Sequence, residues 1–331
     1  MDLIQENGSP QYGRFETPPD HISLDRYRYC NPYGDEQIGW RKKLKFKKFK
    51  FCSIQHEQLS LGVAIVDIGW LNHAFFYLYD HATGQVEDWH AHQVLWKRSK
   101  VDEQPLYNHS YYYSNRYEIV MEHAHGVRQI IIQRRGELLL SARIFCAGHQ
   151  ALSLCSPNGI NGWTYTQKHA ALGIEGTLFH NKKAISLNEN TLASLDDTCG
   201  FLRPETAWFW LSVQFVDQHG RRIGLNLASG VNESLGNENS LWINGKIFAL
   251  GDVLFERIDQ DVWQIRSLCH QVNLTVKTGW RRYEKLNLAI VGSQFSQWQS
   301  RVTGVIQLQQ EVLQVQLNEQ FGLLEQHYAK W

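Results

Sequence analysis

The sequence is poor in residues that break a chain, and those it has are unevenly placed. Of seven prolines in 331 residues, Pro10, Pro18, Pro19 and Pro32 fall in the first tenth, and only Pro204 follows Pro157. This marks residues 1–40 as an irregular N-terminal segment and leaves the remainder open to regular structure. Cysteine is sparse: six stand at 30, 52, 146, 155, 199 and 269 with no CxxC pair, which excludes zinc-ribbon spacing and predicts reduced, mostly buried thiols. Neither sign of charge is in excess, since 33 Lys and Arg balance 33 Asp and Glu; a generic attraction to nucleic acid or anionic membrane is excluded. Long apolar runs are missing, the best being residues 61–66 and 74–79, far below the ~18 residues a spanning helix needs. The opening MDLIQENGSP lacks a basic n-region and an apolar h-region, so a cytoplasmic location is expected. No GxSxG, P-loop or Rossmann fingerprint accompanies a strand–helix pattern, which leaves serine hydrolase, nucleotide triphosphatase and dinucleotide readings without support.

What is present reads as β structure. The hydrophobic share of 43% and charged share of 20% belong to a folded globular chain. The length is about twice the ~150-residue prior for one domain. Strand-like runs at 44–54, 59–68, 74–79, 117–122, 127–133 and 137–145 are closed by turn signals at Thr83-Gly84, Gly126 and Arg135-Gly136. Helical periodicity is scarce. Ile306 and Leu308 alternate with Gln307 and Gln309, and Leu313, Val315 and Leu317 with Gln314 and Gln316, the pattern of strands with one wet face. Asn244-Gly245 between apolar runs is a type I′ hairpin signal. In the run 208–215, Trp208 and Trp210 share one face and Phe209 and Leu211 the other, which predicts a core behind and a cavity or second sheet in front. The cluster Ser156-Pro157-Asn158-Gly159 marks a boundary, dividing the chain into 1–40, a β domain at 41–157 and a β domain at 158–331.

The run Asp196-x-Thr198-x-Gly200-x-x-Arg203-x-x-Thr206-x-Trp208-x-Trp210 resembles the central signature of the bacterial family known as domain of unknown function two-eight-zero-four. Further matches are Thr166-x-Lys168 with Gly176, Gly224-Leu225-Asn226-Leu227-x-x-Gly230, Glu238-Asn239 with Trp242, Gly245 and Lys246, and Gly322-x-x-Glu325-x-His327-x-x-Trp331. They follow in order over most of residues 40–331. That family is similar in architecture to tandem lipocalin-like proteins such as the AttH-like proteins, hydroxyneurosporene synthase and fungal Diels–Alderase-type cyclases. The resemblance implies an all-β chain of two lipocalin-like (calycin-like) antiparallel β-barrel domains in tandem, with a ligand cavity. It implies no particular activity.

From these residues we expect a pocket lined by Trp208, Trp210 and Trp242, with Asp196, Arg203 and Lys168 as polar anchors and Asn226 and Asn239 as further contacts, holding a hydrophobic or amphipathic small molecule (lipid, isoprenoid or polyketide-like). An alternative is a cofactor-independent hydratase, isomerase or cyclase in which Asp196 or Glu238, raised in pKa by the apolar pocket, donates a proton. A carboxylate paired with Arg203 would instead be a brace or a ligand anchor, and Asp196, Asp197 and Thr198 before Gly200 also suit a hydrogen-bonding turn. Glu325 and His327, two apart on a strand, form either an acid–base couple or a clamp of the last strand against Trp331. His90-x-His92 and His123-x-His125 have the period-two spacing of paired metal ligands, each lacking a third; no cofactor is expected.

The segment 41–50, RKKLKFKKFK, carries seven basic residues and no acidic one. It reads as a strand whose lysines form a solvated or edge-protecting face, with peripheral contact to an anionic membrane as a lesser reading, or an interaction scaffold that binds through this strand. Nucleic acid is not expected as a partner.

Overall fold

The computed structural model describes residues 1–94, 98–231, 234–288, 291–308 and 313–330. The chain divides into two compact units, Met1–Leu202 and Arg203–Trp331. The first holds β1 (Gly13–Arg14), helix α1 (Gly39–Lys45), β2 (Lys47–Gln55), β3 (Leu59–Asp67), β4 (Leu71–Asp80), β5 (Val86–Val94), β6 (Ser99–Lys100) and β7 (Asn108–Tyr113). It continues with β8 (Tyr117–Ala124), β9 (Val127–Arg134), β10 (Glu137–Phe145), β11 (Leu152–Asn158), β12 (Gly162–His180), β13 (Lys183–Leu187) and β14 (Leu192–Gly200). The second unit holds β15 (Glu205–Val216), β16 (Arg222–Ser229), β17 (Ser240–Ile243), β18 (Lys246–Ala249), β19 (Val253–Asp259), β20 (Val262–Ser267), β21 (Val272–Leu288), β22 (Val291–Leu308) and β23 (Leu313–Lys330). No helix among the described residues is long and apolar enough to cross a membrane.

The two sheets share one connectivity. In the first the order is β5-β4-β3-β2-β14-β12-β10-β9-β8-β7-β6, and in the second β18-β17-β16-β15-β23-β22-β21-β20-β19. The second is an antiparallel meander, and the first is one apart from β11 and β13, which pair on β12 off its path; in each the first strand of the path pairs with the last, β2 with β14 and β15 with β23. Each leaves its seam after the fourth strand, between β5 and β6 or between β18 and β19. Joining first to last curls a sheet and removes one pair of exposed edges. The result is two antiparallel barrel units, one nearly closed and one nearer a half-barrel.

Alternation fills each interior. In the first unit Ile54, Val63, Phe76, Ile119, Ile130, Ile144 and Leu195 form a buried cluster, and in the second Leu211, Val213, Ile223, Leu225, Val276 and Leu324 do. Phe209 packs on the second cluster, as the face assignment of the run 208–215 predicts. Val315 and Leu317 are buried between exposed glutamines. Asn244 and Gly245 join β17 to β18 with φ of 49° and 84°, the left-handed pair a type I′ turn requires.

Three expectations are corrected. The cluster at residues 156–159 is no boundary: Ser156, Pro157 and Asn158 end β11, paired with β12 from Leu152↔Lys168 to Asn158↔Gly162, Gly159 opens the hairpin turn, and β12 and β14 complete the first barrel. The division falls at 202/203. Residues 1–40 belong to the first unit, where Leu3, Ile4, Ile22 and Tyr27 pack with Phe46, Trp163, Tyr165, Cys199 and Phe201. Segment 41–50 is not a single strand with a solvated basic face. Its first half is α1, and Lys47 and Lys50 are buried. Lys47 donates to the carbonyls of Leu44 and Ile68, and burial lowers its pKa to about 8.

Candidate functional site

The interior of the first barrel is built in layers. On β14 the inward positions run from Leu195 in the apolar core to Asp197, then to Cys199 in the aromatic cluster with Phe201. On β12 they run from Trp163 and Tyr165 to Gln167 and His169, and after a bulge to Leu172 and Ile174. Lys50 stands next to Cys52 and Ile54 on β2, Arg128 next to Ile130 on β9, and His123 next to Met121 on β8, counting alternate residues. Strand alternation thus places Lys50, His123, Arg128, Gln167, His169 and Asp197 at one level between two apolar layers.

Asp197 organises this level. Its Oδ2 accepts hydrogen bonds from Lys50 Nζ at 2.8 Å and Arg128 Nη2 at 2.5 Å. Burial alone would raise its pKa, but Arg128 and Lys50 outweigh that and hold the carboxyl far below the usual carboxylate range. Burial lowers the pKa of Lys50, Arg128 adding to this and Asp197 opposing it. Burial, reinforced by Arg128, depresses His123 to about 4; burial and His149 depress His169 to about 3. Both imidazoles are therefore neutral at physiological pH. Burial pushes Cys146 up to about 11 and raises Cys52 and Cys199 further, so these thiols are poor nucleophiles. The layer can supply hydrogen bonds, cationic charge and a neutral imidazole, but Asp197 has no proton to donate.

The layer is incompletely satisfied. Asp197 Oδ1, Arg128 Nε and His123 Nδ1 are buried without a hydrogen-bond partner, each a group whose desolvation costs about 1–3 kcal/mol. A void of about 10 Å³ lies against Lys50, Tyr165, Gln167 and Asp197, roughly the room one water needs. Residues 101–105 cover it. This cover is fastened by Asp102 N to Ser110 Oγ at 2.9 Å and Asn108 Nδ2 to Gln104 O at 2.8 Å. Outside lies a cleft of about 590 Å³ lined by Leu24, Phe46 and Val101 together with Lys42, Lys43, Lys100, Asp25 and Asp67. Lys48, Val101 and Glu103 line both spaces. Lys48 Nζ sits 3.4 Å from Glu103 Oε2 and 3.4 Å from Asp67 Oδ2.

The residues singled out from sequence are divided between the units. Asp196 and Lys168 belong to the first, on the outer side of β14 and β12 where they are cross-strand partners, with Asp196 Oδ2 2.7 Å from Lys168 Nζ. Arg203 belongs to the second unit and donates to Gly230 O at 2.9 Å. The tryptophans lie on the face of the second sheet opposite its core. Trp208 Nε1 donates to Glu325 Oε1 at 2.7 Å and Trp210 Nε1 to Asn226 Oδ1 at 2.7 Å, while Trp242 is fully buried. Glu325 also accepts from Gln297 Nε2 at 3.0 Å, and His327 Nε2 pairs with Ser293 Oγ at 2.9 Å. Glu325 and His327 do share a face; the Trp331 clamp lies outside the described residues. Asn226 Nδ2 donates to Glu238 O at 2.9 Å, and Asn239 accepts from Ala228 N and donates to Gly251 O. Asn226 ties β16 to the β16–β17 connection, and Asn239 ties β16 to the segment after β18.

The two histidine pairs behave differently. His90 and His92 share a face of β5, with His73 stacked on His92 at 4.4 Å. His123 and His125 do not share one: β8 ends at Ala124, and His125 has a φ of 51° in the turn, against Tyr107. No group of three or more His, Cys, Asp or Glu among the described residues is placed to hold a metal.

From sequence Asp197 reads as part of a turn and Lys50 as one lysine of the basic strand, and Arg128 is given no role; the structure puts Asp197 inside β14 and joins the three. Their signal was present: Lys50 has the parity of Cys52 and Ile54, and Asp197 that of Leu195 and Cys199. In the motif, however, Asp196 and Asp197 are adjacent, and only the sheet shows which of them turns inward.

The family described as Domain of unknown function (DUF2804) matches residues 2–331, and the chain belongs to it. Among solved structures, kievitone hydratase from Nectria haematococca is similar at 9% identity, covering 86% of this chain and 88% of its own, with a TM-score of 0.46. An AttH-like protein from Nitrosomonas europaea is similar at 13% identity, covering 86% and 92%, with a TM-score of 0.41. At these values neither likeness bears on activity. No curated protein matches the chain.

Proposed function

We propose that the first barrel binds a small amphipathic molecule by an anionic group, the headgroup replacing water beside Lys50 and Arg128 and the apolar part lying in the outer cleft. The observation that carries this reading is two buried cations sharing one carboxylate oxygen, with Lys50 and Asp197 lining a small void. A ligand oxygen there gains charge-assisted hydrogen bonds where competing water is scarce. Leu24, Phe46 and Val101 offer apolar surface to the remainder, worth ~25 cal/mol per Å² covered before binding costs are deducted. This keeps the ligand class read from sequence and moves its site from the tryptophans to the interior of the first unit.

Titration with a dansyl-labelled undecanoate tests it. We expect saturable fluorescence enhancement, displaced by decanoate but not by decanol, and about tenfold weaker binding in Lys50→Met. Equal displacement by acid and alcohol, or unchanged affinity in a folded Lys50→Met protein, would refute it.

A further inference from the structure

We propose that α1 is a docking element for an anionic lipid bilayer. The helix carries Arg41, Lys42, Lys43 and Lys45 and no acidic residue. Its N-cap Ile38 and its Trp40 are 70% and 66% exposed. Singly exposed apolar side chains are ordinary; here two of them stand within the same short run as a block of exposed cations. An aromatic and an aliphatic residue interleaved with basic ones match the lipid interface, where rings settle at headgroup level and cations meet anionic phosphate. The Arg41 guanidinium lies 5.5 Å over the Trp40 ring, so the charge and the apolar probe are carried as one unit.

The helix is held rigidly from beneath. Lys42 turns inward and donates to the carbonyls of Leu24 at 2.8 Å and Tyr27 at 2.5 Å, and Lys47 does the same for Leu44 and Ile68. Gly69 allows the close approach, since a Cβ there would stand 2.2 Å from Leu44 O. With Lys42 and Lys47 committed inward, the exposed cations are Arg41, Lys43 and Lys45. Exposed Asp35 and Glu36 offset part of this charge.

The same geometry argues against single-stranded nucleic acid. Stacking needs a row of exposed aromatic faces along the basic run, but Phe46 and Phe51 are buried and Phe49 is half-buried, so the run presents no such row. The surface stands independently of the ligand reading, because its test needs no ligand.

Co-sedimentation of the full chain with phosphatidylcholine vesicles, with and without roughly 30% phosphatidylglycerol, reads the proposal. Binding is expected to rise several-fold with the anionic lipid and to fall in about 0.5 M salt. Arg41→Glu with Lys45→Glu should weaken it by about fivefold or more per residue, and Trp40→Ala should weaken it several-fold without changing the thermal midpoint. Lys50→Met should sediment like the parent, so failure of the ligand reading and failure of this one are separable. Indifference to lipid charge, parent-like binding by both surface variants, or preferential capture of an oligothymidine over vesicles would overturn it.

Discussion

Asp197 shows how one side chain sets the character of a barrel interior. Its carboxylate makes it possible to bury Lys50 and Arg128 between two apolar layers, since unpaired charges there would be expelled or neutralised. His123 and His169 share the level and remain neutral because burial disfavours their charged forms. An unfolded histidine takes up its proton below its ordinary value of 6.5, whereas these folded ones resist until about 4 and about 3. Over that window the unfolded state binds more protons, so stability falls as pH falls. Asp197 adds a loss of the same sign below the usual carboxylate range, where the unfolded carboxyl protonates first. Urea unfolding at stepped pH should show stability declining from pH 6.5 downwards, and His123→Gln should remove up to about 3 kcal/mol of that decline by pH 4. A variant with the parent's pH slope would show that His123 titrates normally in the fold.

Single strands carry constraints that burial alone does not reveal. Gly200 closes β14, and a Cβ there would stand 2.1 Å from Trp163 O across the ladder. A backbone atom cannot move aside as a side chain can. Gly200→Ala should therefore destabilise by more than about 3 kcal/mol or prevent soluble expression. Gly84→Ala, at a φ of 68° with open space around it, should cost about 1 kcal/mol. Thermal unfolding of the two variants compares them, and equal midpoints would refute the steric account. Glycines, asparagines and tryptophans of the family motif were legible as a set, but not their tasks. Asn239 reads as a pocket contact in sequence and serves instead as a fastener at the base of the β17–β18 hairpin, holding Ala228 N and Gly251 O, because those backbone groups reach it only once β16, β17 and β18 are paired. Helix α1 was missed for a related reason. Seven residues hold too few turns for a periodic signal, and its place is fixed by inward-turned lysines and Gly69.

Over the whole chain, two meanders of like connectivity each pair first strand with last, but their interiors differ in chemistry. The buried histidines with depressed pKa, His56, His123 and His169, all lie in the first unit, so acid should loosen that unit first. Hydrogen exchange, corrected for intrinsic rates, should show protection lost in segments 119–132 and 165–199 as pH falls from neutral to about 4.5, with segments 211–227 and 272–278 unchanged. Uniform loss across both units would contradict a local origin.

Sequence by itself determined the class of structure and the family, because strand alternation, turn chemistry and spaced motifs are properties of neighbours along the chain. It put Phe209 and Leu211 on one face and Trp208 and Trp210 on the other, predicted the Asn244-Gly245 hairpin and kept apolar residues in register with a core, but it walled the cavity with the tryptophans, where the structure turns Leu211 to the core. Tertiary structure alone decided where the chain divides, which of Asp196 and Asp197 enters the barrel, and that Lys50 and Arg128, 78 positions apart in sequence, meet on one carboxylate oxygen. Contacts of that kind depend on which strands become neighbours when a sheet curls, and no local pattern records that choice.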